Sequence, residues 1–350
     1  MDSSLSNPSS ADETELSTEI QSSEILPRLP AEFLMRFRQV CKSWCSLIRE
    51  PSFVKAHYRY FPLRQDHTHL FLTTSSRNSE PCQHFFSLQI NRKGQLTLPT
   101  HILTLPASNF SFLRGTHSVN GLILLSEPRS HSEHVHIVNP CTREVITLPH
   151  ASTCDKVVHR LVFSDLTNEY KVLQVHKTGT KLKLKIFSLG STRLWRDLDL
   201  DHLPFNPKSL NFSRRSVWLR GGIHWMHEDE NVIVVFDFRD EKFRVIPFLI
   251  HAGNYPRIPS LELIEVNGYV TVYEYEGGSI IENTIGLWIL EDYENQIWGV
   301  KKGIRFNFSW RNAGSPSPLG TIHTGDLVLS DSNGKVYLYN MESERWGEHE

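Results

Sequence analysis

Cysteine is scarce and unpatterned: Cys41, Cys45, Cys82, Cys141 and Cys154 make an odd count of 5, with no Cys-x-x-Cys pair. That argues against a disulfide framework and a zinc ribbon, and points to a reducing compartment, cytoplasm or nucleus. The three Asn-Phe-Ser sequons at Asn109, Asn211 and Asn307 are then accidental. No stretch approaches the roughly 18 apolar residues of a spanning helix, and no membrane partner is expected. The opening MDSSLSNPSSADETELST has neither a basic start nor an apolar run, so neither a secretory nor a transit segment is expected. Net charge is close to nil, 37 basic against 39 acidic residues, which leaves no global field to draw the chain to nucleic acid. Gly-x-Ser-x-Gly, Gly-x-x-x-x-Gly-Lys, Gly-x-Gly-x-x-Gly and His-Glu-x-x-His are all missing, so no catalytic residue and no cofactor is assigned.

What the chain does have is apolar material for a folded core, 39 % of its 350 residues, with 11 % aromatic. Its organising stretch is near the front. From Pro30 the apolar residues fall at Phe33, Leu34, Phe37, Val40, Cys41, Trp44, Leu47 and Ile48, spacings that lay one stripe along a helix. Arg36, Arg38, Gln39, Lys42, Ser46 and Arg49 take the other side. Some 30 residues cannot close a core of their own, so the stripe needs the rest of the chain or another protein. Ala31 to Arg64 carries seven Lys or Arg against Glu32 and Glu50, a basic segment suited to an acidic partner or to a solvated helix back.

RLPAEFLMRFRQVCKSWCSLIREPSF resembles the second and third helices of the F-box in the form common in large plant families. The resemblance implies docking on a Skp-type adaptor and, through it, a cullin ubiquitin ligase. It implies an adaptor-facing or helix-packing set of Leu26, Leu29, Pro30, Phe33, Leu34, Phe37, Val40, Cys41 and Trp44, with a break between helices near Val40-Cys41. The first helix departs from the family: Ser17 and Thr18 stand at its Leu-Pro positions, Ser22 and Ser23 replace apolar residues, and Pro27 removes a backbone donor. A short or frayed first helix and weakened adaptor binding are therefore expected.

Residues 1–18, rich in Ser, Asp, Glu and Pro, read as a disordered tail; 19–60 as the F-box, its helices reaching about Tyr58; 61–67 as a linker; and 68–346 as a β domain. Pro51 biases Glu50 out of helical geometry, and Ser52 is expected to cap the last helix. In the β domain short alternating or apolar runs recur, with turns expected at Asn120-Gly121, Gly221-Gly222, Asn267-Gly268 and Asn333-Gly334. Hairpins such as VFDFRDEKFRV, VFSDLTNEYKV and LYNMESERW repeat at intervals of roughly 40 to 50 residues, the mark of radial repetition. A mainly β fold is expected, a small α domain followed by a propeller-like domain of about six or seven kelch-like units, with an irregular sandwich as competitor.

SVNGLILLSEP, IVNPCTREVITLP, VFSDLTNEYKVLQV, KIFSLGSTRLW, SVWLRGGIHWM, VVFDFRDEKFRVIPF and GLWILEDYENQIWGV together resemble the F-box-associated domain of plant proteins. That resemblance implies a non-catalytic substrate receptor, the β domain selecting a target protein. Trp195, Trp218, Trp225, Trp288, Trp298 and Trp346 sit at comparable hairpin points and read as packing between units. Trp310, beside Arg311 in the loop FNFSWRNAGSPSPLG, is the candidate target-binding anchor. The cluster His131, Glu133, His134 and His136, like His67 and His69, has no second ligand pair at a metal-site separation and reads as surface or structural. Arg214, Arg215 and Arg220 read as a solvated loop, with no aromatic platform for nucleic acid.

Overall fold

The computed structural model describes residues 21–60 and 68–347, apart from 77–81, 91–94, 107–113, 127–134, 151–156, 165, 191–193, 201, 228, 249–260, 276–283, 307–316, 323 and 332–334. The chain divides into two units, Met1–Gln65 and Asp66–Glu350. The stretch read as a disordered tail, Asn333-Gly334, Trp310, Arg311, His67, His131, Glu133 and His134 all lie outside the described residues.

The described part of the first unit starts with one turn of π-helix, Gln21–Ile25, and one of 3₁₀ helix, Leu26–Arg28. Pro27 falls within the first two residues of that short helix, where its missing N–H would have had no partner anyway. Helix α1, Ala31–Phe37, ends where the chain turns, and α2, Lys42–Arg49, begins after Cys41 (φ −153°), whose thiol accepts the Trp44 N–H as a serine cap would. Helix α3, Pro51–Tyr60, starts on its proline. Ser52 therefore lies inside α3 instead of capping it; its hydroxyl donates to the Glu50 carboxylate, while the Glu50 carbonyl accepts the Val54 N–H. Leu26, Leu34, Ile48 and Phe53 are buried at the centre, each worth about 1.5–3 kcal/mol. Leu29, Met35, Phe37, Trp44 and Leu47 pack around them.

The second unit is six antiparallel sheets in chain order. The first is Thr68–Ser76, Cys82–Ile90 and Thr100–Pro106; the second Arg114–Val119, Leu122–Ser126, Val135–Asn139 and Glu144–Thr147. The third is Val157–Ser164, Glu169–Thr178, Lys181–Ser188 and Arg196–Leu198; the fourth Ser216–Leu219, Gly222–His227, Val232–Asp237 and Lys242–Pro247. The fifth is Glu262–Val266, Tyr269–Tyr275, Thr284–Asp292, Ile297–Trp298 and Lys302–Arg305; the sixth Ser317–Thr321, Asp326–Ser330, Val336–Asn340 and Arg345–Trp346.

Each sheet is covered on both faces, which is why runs such as VIVVFD are apolar without alternation. Phe85 meets Ile123 and Leu125 between the first and second sheets, and Leu124 meets Leu161 and Val172 at the next joint. Leu173 packs with Trp225 and Phe236, Ile233 with Leu263 and Val272, and Tyr273 with Leu327. Ile90 and Leu70 of the first sheet meet Val328 and Leu338 of the sixth, so the joints close into a ring. The count expected as six or seven is six, a six-bladed propeller.

Two-residue turns join first to second strands in the second, fourth and fifth sheets, and second to third in the third sheet. Asn120-Gly121 (φ 51° and 80°) and Asn267-Gly268 (φ 49° and 80°) stand as expected. In the fourth sheet the turn is Arg220-Gly221 (φ 50° and 75°), one residue earlier than expected. Gly222 is already in the strand, and a Cβ there would lie 2.8 Å from Val235 Cγ1, so this glycine serves packing and not the turn. Longer turns use one device: the side chain of Asn139, Asp237, Asp292 or Asn340 accepts backbone N–H groups two or three residues on. The residue four places on, Arg143, Glu241, Gln296 or Glu344, then takes a positive φ of 53° to 60°.

Candidate docking surfaces

The nine residues expected to face an adaptor or pack the helices divide in the structure. Leu26 and Leu34 are buried and belong to the unit's own core. Leu29, Phe37 and Trp44 are half-buried; Phe37 and Trp44 meet edge to face, ring centroids 5.2 Å apart. Pro30, Phe33, Val40 and Cys41 are exposed, with Phe33 at 47 % and Val40 at 65 %. The turn between α1 and α2 interrupts the helical stripe, which is why Val40 and Cys41 leave the packed face. Ile25 at 40 % and Val54 at 54 % are also exposed and were not in the expected set. Pro51 fixes where α3 begins, and counting helical positions from it is the signal that could have turned Val54 outward.

Around these side chains the charge is mainly positive. Arg28, Arg36, Lys42, Arg49 and Lys55 are exposed, and Arg36 lies 5.8 Å over the Phe33 ring. Arg28 pairs with Glu24 at 2.8 Å, an exposed pair of small energetic weight. Hydrogen bonds from Ser43, and then from the Trp44 N–H, hold the exposed Cys41 thiol below its ordinary range. His57 Nε2 lies 3.0 Å from the Leu29 carbonyl and fastens α3 to the segment before α1. A carbonyl cannot donate, so this nitrogen carries a proton.

In the propeller the tryptophans take up the joints. Trp195 Nε1 donates to Pro149 O at 2.8 Å, Trp298 to Pro247 O at 3.0 Å, and Trp346 to Arg305 O at 3.1 Å. In the third, fifth and sixth blades, then, an outer indole reaches the outer edge of the blade before. Trp225 is fully buried in the joint between third and fourth blades, and Trp218 and Trp288 pack against the cores beside them.

The three arginines are not one solvated loop. Arg215 donates to Pro318 O and, at 3.2 Å, to Ser317 Oγ, so it runs from the fourth sheet to the sixth past the fifth. The Arg214 carbonyl accepts from Arg160 at 3.0 Å. Arg220 alone is exposed, its guanidinium 5.1 Å over the Tyr293 ring. Arg160 is buried and spends its donors on Ser216 Oγ and the carbonyls of His159, Phe212 and Arg214; burial lowers its pKa to about 10. Of the histidines flagged from sequence, His136 bonds Thr147 at 2.9 Å and His69 bonds Ser87 at 3.0 Å. Among the described residues, no group of three or more His, Cys, Asp or Glu could hold a metal ion.

A small helical unit with exposed apolar side chains, followed by a six-bladed propeller, is the build of a recognition adaptor. Residues 23–56 match the F-box domain and residues 65–349 the F-box associated beta propeller domain, and the chain belongs to that family of F-box proteins. It is similar to two Arabidopsis thaliana proteins. One is F-box protein At4g19940, 26 % identical over 355 residues, 91 % of this chain and 80 % of the relative. The other is F-box protein At5g65850, 27 % identical over 345 residues, 91 % of this chain and 80 % of the relative. Across eight of its Arabidopsis relatives the chain spans 66 % to 84 % of their length. Among solved structures, a chain of the nidogen/laminin complex superposes with a TM-score of 0.48 at 12 % identity, over 80 % of this chain and 92 % of that one. An F-box implies a Skp-type adaptor as partner, and the propeller beside it a substrate-recognition role.

Proposed function

We propose that the protein is the non-catalytic substrate-recognition subunit of a cullin ubiquitin ligase. The F-box docks on the Skp-type adaptor, and the propeller holds the target protein. The observation that carries this reading is the exposure of Phe33 and Val40 beside a helical core completed without them. Pro30 and Cys41 belong to the same docking set, and Leu26, Leu29, Leu34, Phe37 and Trp44 support it from within. Trp310 and Arg311, in the connection between fifth and sixth sheets, are proposed as target contacts. The chain acts by proximity, raising the local concentration of a target lysine near a charged carrier.

The experiment is co-purification of the full chain with a Skp-type adaptor and a cullin. Phe33→Asp with Val40→Asp should abolish recovery of both while the helical circular dichroism is kept. A second reading has its own observation: among the described residues, Gln21–Arg28 make two short turns, one π and one 3₁₀, in the stretch where the end of a first helix would stand. On that reading the propeller binds its target without ligase coupling. Recovery of the target with no adaptor or cullin would establish it.

A further inference from the structure

On the strand Cys82–Ile90, Cys82, His84 and Phe86 share one face. In the neighbouring strand Thr104 is the register partner of His84, and His101 that of Phe86. Residues three apart in a strand normally point to opposite faces. Here the ladder shifts between Phe85 and Phe86, so that His101 and Thr104 arrive on the same side. The bulge thereby gathers a thiol, two imidazoles and a hydroxyl.

Their contacts form a chain. Cys82 Sγ lies 3.4 Å from His84 Nε2, His84 Nδ1 lies 2.9 Å from Thr104 Oγ1, and His101 Nε2 lies 2.9 Å from the same oxygen. A hydroxyl has one proton, so Thr104 donates to one imidazole and accepts from the other. When it donates to His101, His84 must donate through Nδ1, and its bare Nε2 then accepts the Cys82 S–H. Moving that proton from sulfur to Nε2 changes no other bond. The imidazolium keeps its Nδ1–H on Thr104 and faces the thiolate with the new N–H. Nucleophile, base and orienting group stand in hydrogen-bond sequence, which is the arrangement of an activated nucleophile.

We propose that Cys82 is a thiol–disulfide exchange site for low-molecular-weight disulfides. Cys82 sulfur attacks one sulfur of the small disulfide, forming a new S–S bond as the old one breaks. The proton taken up by His84 passes to the departing thiolate, so a disulfide and a thiol enter and a mixed disulfide and a thiol leave. Thr104 is a positioning residue. The site is in the propeller and stands whether or not the helices dock an adaptor.

The test treats the full chain at neutral pH with the aromatic disulfide dithiodipyridine, follows thiopyridone release, and maps the labelled cysteines by mass spectrometry. Cys82, although less exposed than Cys141, should react at least about tenfold faster than it. His84→Gln should bring Cys82 down to the Cys141 rate, and Thr104→Val should slow it and alter the pH dependence of the rate, with Cys141 unchanged in both. Thermal melts show whether each variant is folded; if His84→Gln is not, Thr104→Val decides. Cys82 reacting no faster than Cys141, or a rate untouched by the folded variants, overturns the proposal.

Discussion

His224 Nε2 and the phenolic oxygen of Tyr293 lie 2.7 Å apart across the joint between the fourth and fifth blades. The other ring nitrogen, Nδ1, lies 3.1 Å from the Val217 carbonyl and must donate there; in the neutral ring that burial favours, Nε2 then accepts the tyrosine proton. Arg244 donates to the same phenol, and its guanidinium lies 5.0 Å from the ring, with Arg220 5.1 Å from it. A neutral His224 is thus built into the joint. Burial, and then the charge of Arg244, hold its pKa at about 4. His159 is likewise at about 4, from burial and the neighbouring Arg160, and its Nε2 lies 3.1 Å from the Gln174 amide.

Stability should fall on acidification. Both imidazoles have folded pKa values below the unfolded value of 6.5, so between about 6.5 and 4 the unfolded chain binds more protons. Their contribution is complete above 6.5 and is lost as pH drops toward 4, on the order of 3 kcal/mol per histidine. Urea melts at pH 7.5 and pH 5 measure the slope. His224→Gln should reduce it; an unchanged slope would show that His224 is not held neutral.

The outer tryptophans should separate into hydrogen-bond and packing contributions. Trp346→Phe removes the N–H that reaches Arg305 O but keeps a ring beside Phe306 and Tyr339, and should cost about 1 kcal/mol. Trp346→Ala also vacates the joint and should cost about 3–5 kcal/mol. Thermal denaturation of the two variants gives the ratio.

Lys301 and the buried Glu274 form an ion pair at 2.6 Å, with the ammonium 4.7 Å over the Trp288 ring. Lys301→Met leaves a buried carboxylate without its cation and should cost about 3–5 kcal/mol. Adding Glu274→Gln should recover a substantial part. A double variant no more stable than Lys301→Met would show that the charge was never the problem.

Gln296 takes φ 58° at the end of a fifth-blade turn whose Asp292 side chain already accepts two backbone N–H groups. Glycine reaches this conformation without a Cβ penalty, so Gln296→Gly should raise stability by about 0.5–1 kcal/mol. Chemical denaturation checks the sign. A loss would mean that the turn's geometry is set by contacts of the glutamine side chain.

Local chemistry made much of the propeller readable. Asn120-Gly121 and Asn267-Gly268 announce themselves, because both residue types tolerate positive φ. Arg220 does not, and a Gly-Gly pair beside it drew the expected turn one residue too far. The apolar periodicity by itself reads as one stripe, and only the family resemblance implies a break near Val40-Cys41; Phe33 could not be told from Phe37 until the turn after α1 fixed which way each points. Arg215 and Pro318 are 103 residues apart, and no local pattern couples an arginine to a distant carbonyl. The number of blades was open because the first sheet has three described strands and the fifth has five, which blurs a repeat counted by length.

Every described strand of the first blade comes from one continuous stretch, and so does every described strand of the sixth; among the described residues no backbone bond crosses from one to the other. Where those two blades touch, the oily side chains of Leu70, Ile90, Val328 and Leu338 act as a clasp. The bracelet can therefore come undone there with each ladder intact. Exchange-protected amides on either side of the clasp would survive an excursion that lets the whole circle widen.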